Sequence, residues 1–515
     1  MTQHFILLFL SVFVRKKKNK SGVISVQIIA KFDGKSKLLK TIGSSKEMQV
    51  IEEFVNKGKE YIQNYKGQQV LNFTDTKSVF RSVFDAVSSH KEVGTERLLG
   101  GIFNEIGFNK IEDSLFKYLV FSRLIQPVSK LKTTEYLFLY KEIEISSQQI
   151  YRYLDRLHSS QKDLVQQISY LHTKKVLQDD ISVVFYDVTT LYFEIDQEDE
   201  LRKTGFSKEG KHQNPQIVLG LLVSKHGYPL AYEIFEGNKF EGHTMLPVID
   251  TFKNKYNLDQ LVVIADSGLL SNTNVQELQE KGYEFVLGGR IKNESQPIKQ
   301  KILNLELDHG QSAVIEKGDL RLIISYSDDR AKKDRYNREK GLKKLEKQIR
   351  RGKLTKSNIN NRGYNKFLKL EGEISVAIDY DKLKQETRWD GLKGYLTNAK
   401  MNKDQVIENY RHLWQIENAF RVSKSDLRVR PIYHRLQRRI EAHICISFVA
   451  YKIHKELDRQ LKDRKAKISA NTAIEIAKTI YSITANLPDG TKLEHLLITN
   501  KRQKQLINIF PENFG

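Results

Sequence analysis

The sequence predicts an α/β core, split by a basic, β-containing insertion and preceded by a helical region. Three observations carry that prediction. Ile181 to Val188 is an apolar run with one carboxylate, Asp187, inside it. Leu261 to Ala265 is a short all-apolar segment that ends directly on a second carboxylate, Asp266. The segment YRHLWQIENAFRVSK (410–424) has helical periodicity and carries a third, Glu417.

Composition narrows the class. The 515 residues suffice for two to four domains. Hydrophobic residues make up 39% and charged residues 29%, the balance of a soluble globular chain rather than a disordered or membrane one. The net charge of +22 favours a polyanionic partner, DNA or RNA first, with a basic protein of no nucleic-acid role as the alternative. Cys445 is the sole cysteine, so neither an intramolecular disulfide nor a thiolate zinc site can form, and a reducing cytoplasm fits. Phe5 to Val14 is apolar apart from Ser11, with Arg15 to Lys18 after it. A signal peptide carries its charges ahead of the apolar run, and ten residues fall short of the roughly 18 that span a membrane. The run reads as a buried strand or as an upstream mis-start.

Residues 1–75 read as a small α/β unit. Val23 to Phe32 and Leu38 to Ile42 pair across Asp33-Gly34, and a helix follows over 46–65. Residues 76–180 read as a helical DNA-binding region. There Pro127 stops one helix, and Ser146-Ser147 caps another that opens with Gln148, Gln149, Tyr151 and Arg152. Such a helix suits a DNA groove, with an ordinary solvated face as the alternative. Residues 181–290 switch to strands, with a hairpin of 217–224 and 229–235 across Lys225-His226-Gly227-Tyr228, then a helix over 243–256. Residues 291–385 read as the insertion. Ala313 to Ile315 pairs with Leu320 to Ser325 across Gly318-Asp319. The stretch 330–369 then holds sixteen Lys/Arg against three Asp/Glu, part of it an amphipathic helix on Leu342, Leu345 and Ile349. That density points to phosphate contact, with a solvated helical hairpin as the alternative. Residues 386–460 return to the core with the Glu417 helix, and 461–515 form a helical tail.

A buried strand does not carry a bare carboxylate without a partner, because desolvation is costly. The ends of inner strands are where α/β sheets present functional groups. Strand with Asp187, hairpin, helix, strand ending in Asp266, insertion, helix with Glu417: this is the order of a ribonuclease-H-like fold. Three hard oxygen donors can hold Mg²⁺, with Mn²⁺ as a substitute. Two such ions about 3.5–4 Å apart activate a water or a 3′-hydroxyl and stabilise the leaving oxygen of a phosphodiester. On a continuous helix, Tyr410, Glu417 and Lys424 share one face, drifting only about 20° per step. Arg421 lies near that face, and Leu413, Ile416, Phe420 and Leu427 form the apolar stripe beside it. These cations are expected to clamp phosphates. His212, His226, His243, His434 and His443 lack the i, i+4 pairing of a helical zinc site and read as structural, with a DNA contact also open to His434.

Together with RKKKNKSG (15–22), SRLIQPVSKLKT (122–133), FYDVTTLYFE (185–194), GLLVSKHGYPLAYEIFEGN (220–238), VVIADSGLLS (262–271), DGLKGYLTN (390–398) and RPIYHRLQRRIEAHI (430–444), these residues resemble the DDE transposases of bacterial insertion sequences. The branch is the one with a Tyr-x2-Arg-x3-Glu-x6-Lys signature. The resemblance implies that Asp187, Asp266 and Glu417 are the catalytic, metal-binding carboxylates, and that Tyr410, Arg411, Arg421 and Lys424 contact DNA. The signature Arg falls on Leu413, a departure for which Arg411 or Arg421 could compensate. Asp187 and Asp266 lie 79 residues apart, Asp266 and Glu417 151 apart; the longer gap matches branches with a β-rich insertion. The resemblance further implies binding to terminal inverted repeats in double-stranded DNA, cleavage of the ends, and joining to target DNA. It implies a homodimer on paired ends, in the nucleoid of the cytoplasm and away from membranes. A nuclease of the same fold without strand transfer, and a DNA-binding regulator with a dead site, are the alternatives.

Overall fold

A computed structural model describes residues 11–32, 35–63, 84–178, 181–207, 210–360, 363–371, 375–486 and 490–514. The chain forms two compact units, Met1–Ser88 with Ala485–Leu493, and Ser89–Thr484 with Glu494–Gly515.

In the first unit, strands Ser11–Lys18 (β1), Ile24–Phe32 (β2) and Lys35–Ser45 (β3) form an antiparallel sheet in that order. Val26, Ile28 and Ile29 are buried with Ile51 of the helix Met48–Gln63. The expected strand at Phe5 to Val14 lies mostly outside the described residues, as does the Asp33-Gly34 turn.

The second unit begins in strand Val87–Glu92 (β4), followed by helices Gly94–Ile106, Ser114–Ile125, Lys130–Lys141, Ser147–Ser160 and Lys162–Val176. Their starts follow local chemistry: Asp113 and Ser129 cap two of them, and Ser146 with Gln149 forms a capping box on a third. Gln149 spends its side-chain oxygen on that cap. Leu98, Phe116 and Leu154 share one hydrophobic cluster with sheet residues Phe185 and Ile264, so these helices are a layer of the core.

The central sheet is Val183–Tyr192 (β5), Gln216–Ser224 (β6), Pro229–Glu236 (β7), Val262–Ala265 (β8), Glu284–Gly289 (β9), Ser312–Lys317 (β10) and Leu320–Tyr326 (β11). Beyond it lie a separate hairpin, Leu368–Glu371 (β12) with Ser375–Ile378 (β13), and the sheet's last strand, Leu392–Thr397 (β14). Spatial order is β10-β11-β14-β9-β8-β5-β6-β7. β5, β6 and β7 are antiparallel, while β8 and β9 run parallel to β5. The run β7-β6-β5-β8-β9 fits a ribonuclease-H-like core. All nine residues of β6 are buried because both faces of the sheet are covered. The helices above and the long helix Gln437–Asp463 cover one face, and Met245–Tyr256 and Asn272–Glu280 cover the other. Strands Tyr481–Asn486 (β15) and Lys492–Leu497 (β16) form a small sheet with β4.

Within the expected insertion at 291–385, the first hairpin, β10–β11, extends the edge of the central sheet, because β11 pairs with β14 from Arg321↔Thr397 to Tyr326↔Leu392. What departs from the sheet begins at the helix Asp328–Arg350, which packs Leu345 against Phe367, Leu368 and Val376 around the β12–β13 hairpin. Among the described residues no helix is long and apolar enough to cross a membrane.

Candidate active site

Strand alternation brings the first two carboxylates together. Along β5, Phe185 and Leu191 face the helix-covered core, whereas Val184, Tyr186 and Val188 face the other. Asp187 has the parity of Phe185 and so stands on the helix-covered face. On β8, Val262 and Ile264 face that core too, and Asp266 is next in the same parity, just past the strand. The two strands run parallel with Tyr186 beside Ala265. Asp187 and Asp266 each come next along their strands after that last pair. Asp187 Oδ1 accepts the Val188 N–H at 2.8 Å, and Asp266 Oδ1 accepts the Ser267 N–H at 2.6 Å.

Glu417 reaches the same face from above. Its helix, Trp414–Arg421, buries Ile416, Ala419 and Phe420 in the helix-side core. Glu417 and Asp266 line one cavity of about 500 Å³, with Lys393, Arg330, Arg411 and Tyr410 also in its wall. The Asp187 side chain does not line that cavity.

The helix expected over 410–424 is not continuous. Tyr410 lies in the last turn of Lys403–Arg411. The chain then tightens, with Leu413 N–H on Tyr410 O at 3.0 Å and Ile416 N–H on Leu413 O at 3.1 Å, before the Glu417 helix starts. These i to i+3 bonds change the rotation per residue, so the seven-residue spacing no longer sets one face. Residues Val422–Asp426 then form a π turn. The consequences differ by residue. Tyr410 and Arg411 line the cavity, as does Leu413 at the signature Arg position. Arg421 is exposed and donates to Asn418 Oδ1 at 2.9 Å, and neither it nor Lys424 lines the cavity.

Two cations that sequence reading missed stand in the wall. Lys393 shares the parity of Tyr395 on β14, which faces the helix-side core. Its Nζ sits 4.4 Å from the Tyr410 ring centre. Burial first, then the charge of Arg330, holds its pKa below the usual lysine value, while Asp266 and Glu417 pull the other way. The signal was present in GLKGYLT as a strand with a lysine in the inward parity. Arg330 comes from the first turn of Asp328–Arg350 and was hidden within a long run of charge. Tyr410 is buried and donates to Asp266 Oδ1 at 3.4 Å. Burial, then the Asp266 charge, pushes its phenol well above its usual pKa. A Cβ at Gly288 would lie 2.6 Å from the Tyr410 hydroxyl and 2.8 Å from the Ser267 nitrogen, so the contact requires glycine there. A fourth carboxylate, Glu241, is close to Asp266: a Cβ built on Gly268 would be 3.9 Å from an oxygen of each.

The chemistry of this donor set suits a hard divalent cation: carboxylates from two adjacent strands and a helix, on one face, with cations beside them. Among the described residues a tighter group of metal-ligand atoms, within 4.8 Å, is Glu105, His172 and Glu456 elsewhere in the fold. Glu456 is fully buried, and its oxygens already accept from Tyr228, Arg459 and Gln460. With Arg459 bonded there and the Lys452 ammonium over Tyr228 at 4.3 Å, that group reads as a compensated structural network.

A family model described as the transposase DDE domain matches residues 178–453, more than half of the chain and including all three carboxylates. The chain belongs to the DDE transposases. Comparison with curated proteins gives no match. Among solved structures, the DDE transposase chain is similar to a piggyBac transposase synaptic complex with hairpin DNA, at 11% identity over 71% of this chain and 69% of that one, TM-score 0.37. It is also similar to a Mos1 transposase paired-end complex with the left transposon end, at 10% identity over 45% of this chain and 71% of that one, TM-score 0.16.

Proposed function

We propose that this DDE transposase cuts double-stranded DNA at the terminal inverted repeats of its own insertion sequence and joins the ends to target DNA. One observation carries the reading: Asp266 and Glu417 share a cavity whose wall also holds Arg330, Lys393 and Arg411, and Asp187 and Asp266 each follow the last paired residues of two adjacent parallel strands. Asp187, Asp266 and Glu417 would hold Mg²⁺, or Mn²⁺ in its place, as two ions. When bound, these supply activation of a water or 3′-hydroxyl and charge stabilisation at the leaving oxygen. The protein's own part is orientation and charge. Tyr410 fixes Asp266 through its hydroxyl. Lys393, Arg330 and Arg411 bring positive charge to the phosphodiester, and Lys393 occupies the role that Leu413 cannot fill. Arg421 and Lys424 then serve DNA farther from the scissile bond. The active assembly is a homodimer on paired ends, working on chromosomal DNA in the cytoplasm.

The test is incubation with duplex DNA carrying the element ends and Mg²⁺, read on a denaturing gel. End-specific nicks and joined products, lost in Asp187→Asn, Asp266→Asn and Glu417→Gln, are expected. Joining by folded Asp187→Asn protein would overturn the proposal. Cleavage without joining would favour the nuclease reading, and binding without any cleavage the regulator.

A further inference from the structure

The two motifs 122–133 and 430–444 take no part in the carboxylate site, yet they form the walls of a second cavity of about 500 Å³. Arg123, Lys130, Lys132, Arg428 and Arg430 line it, and no Asp or Glu does. Lys132 is exposed and neutralised by Glu135 at 2.8 Å. The nearby Asp155 is taken by Arg438 at 2.8 Å and Arg439 at 2.7 Å. Lys130 is different. It is 7% exposed, stands at the first position of the helix Lys130–Lys141, and donates to no protein acceptor among the described residues. The partial positive charge of that helix end adds to its own. Arg123, equally buried, spends its guanidinium on the carbonyls of Leu427 and Arg428 and on His443 Nδ1 at 3.3 Å. His443 Nε2 meets Val429 O at 3.0 Å. These bonds pin the 427–430 backbone as one wall.

Burial, then the charge of Arg123, holds the Lys130 pKa well below the usual lysine value, so with no carboxylate facing either group the ammonium is favoured there only when an anion completes the site. The surrounding groups respond to that excess charge. Burial, then Lys130 and Arg123, lowers His434 to about 3, and burial with Arg123 and Lys130 also keeps His443 neutral. The cavity is tied to the sheet strand that carries Asp187. The Arg430 guanidinium lies 6.0 Å from the Tyr192 ring centre, and Ile432 bridges Phe193. From Asp187 to Tyr192 is about 17 Å at about 3.3 Å per strand residue. That is the axial length of roughly five nucleotide steps at 3.4 Å each.

We propose that this cavity, with Lys130 at its centre, binds a backbone phosphate of the DNA duplex several nucleotides from the cut, and so sets the register of the DNA on the carboxylates. The inference rests on the transposase reading above. Phosphate contacts fix register without reading sequence, which suits a pocket lined by five Lys/Arg and no Asp or Glu.

The experiment measures duplex DNA affinity of the full chain, without divalent metal, across a salt series. Lys130→Met is expected to weaken binding and to reduce the slope of log K against log salt by about 0.9, the value for one lost phosphate contact. It should leave the melting temperature unchanged or raise it, since methionine fills the space without a buried charge. Arg430→Gln, a second variant that does not depend on core replacement, is expected to cut the slope in the same way. A wild-type slope in both folded variants overturns the cavity assignment and leaves the transposase reading standing. Wild-type protein that binds no duplex at any salt overturns both. Inorganic phosphate that raises the melting temperature of wild type but not Lys130→Met, with DNA slopes unchanged, would assign the pocket to a free anion and overturn the DNA proposal.

Discussion

Lys393 offers the sharpest separation between stability and chemistry. Its ammonium sits over Tyr410 at 4.4 Å, in a wall shared with Asp266 and Glu417. In Lys393→Met the fold loses a cation–π contact of about 0.5–2 kcal/mol and is relieved of a partly desolvated charge, so the two effects oppose and the melting temperature should barely move. The reaction has no such offset. A fixed cation aimed at developing phosphoryl charge is comparable to an oxyanion-hole donor, whose loss lowers turnover by about 10²–10³. The pH behaviour gives an independent check. The folded-state pKa of Lys393 is depressed, first by burial and then by Arg330. Its charge is therefore present at low pH and lost as pH rises through a value below that of free lysine. The alkaline limb of DNA cutting should fall in that window in wild type. It should move upward in Lys393→Arg, because guanidinium stays charged. The assay is single-turnover nicking of end DNA across pH, with melting curves on the same preparations. Unchanged nicking by folded Lys393→Met, or an alkaline limb that ignores Lys393→Arg, would refute the role.

Further predictions follow from where the structure puts charge. Arg421→Ala should leave single-turnover nicking near the wild-type rate, since the side chain is exposed and bonded to Asn418; a loss as large as that expected for Lys393→Met would restore it to the site. Glu456→Gln should destabilise the fold by about 1.5–3 kcal/mol, because the fully buried carboxylate loses its charge-assisted bonds from Arg459 and Tyr228, whereas EDTA should stop cutting without lowering the melting temperature, a drop of which would mark Glu105, His172 and Glu456 as a structural metal site. Burial raises the Glu456 pKa, but hydrogen bonds from Arg459, Tyr228 and Gln460 outweigh it and the net shift is downward. Its stabilising effect is thus present above the unfolded carboxyl pKa and lost as pH falls through the folded one, so acid melting curves of wild type and Glu456→Gln should converge.

The parts of the core legible in the sequence were those in which burial and periodicity agree. Ile181 to Val188 and Leu261 to Ala265 are apolar because both faces of the sheet are covered, and Asp187 and Asp266 stand out against them. The order of those elements was enough to suggest the core, which the mixed sheet fits. That the hairpin at 312–326 extends the central sheet was not legible, because a hairpin carries no signal for its outer neighbour: the pairing of β11 with β14 spans a long sequence separation and leaves no local trace. Lys130 was equally hidden. A lysine at a helix start reads as solvated, and only the fold shows that it is buried and shares a cavity with Arg428, Arg430 and His434.

The Glu417 region shows why motif spacing and geometry part company. Seven-residue spacing puts Tyr410, Glu417 and Lys424 on one face only while every turn keeps 3.6 residues. The i to i+3 bonds at Leu413 and Ile416 tighten the helix before Glu417, and the π turn at Val422–Asp426 loosens it after. Buried Leu413, Ile416, Phe420 and Leu427 keep the apolar stripe anchored through both changes, so the polar residues, not the core, absorb the rotation. Tyr410 and Glu417 thereby stay in one cavity while Arg421 and Lys424 leave its wall. An arginine at 413 would have to send its charge from a position that is now 93% buried. A lysine on the neighbouring strand, held over Tyr410, brings the same charge to that cavity with its stem already packed, which is why the departure at Leu413 and the placement of Lys393 belong to one arrangement.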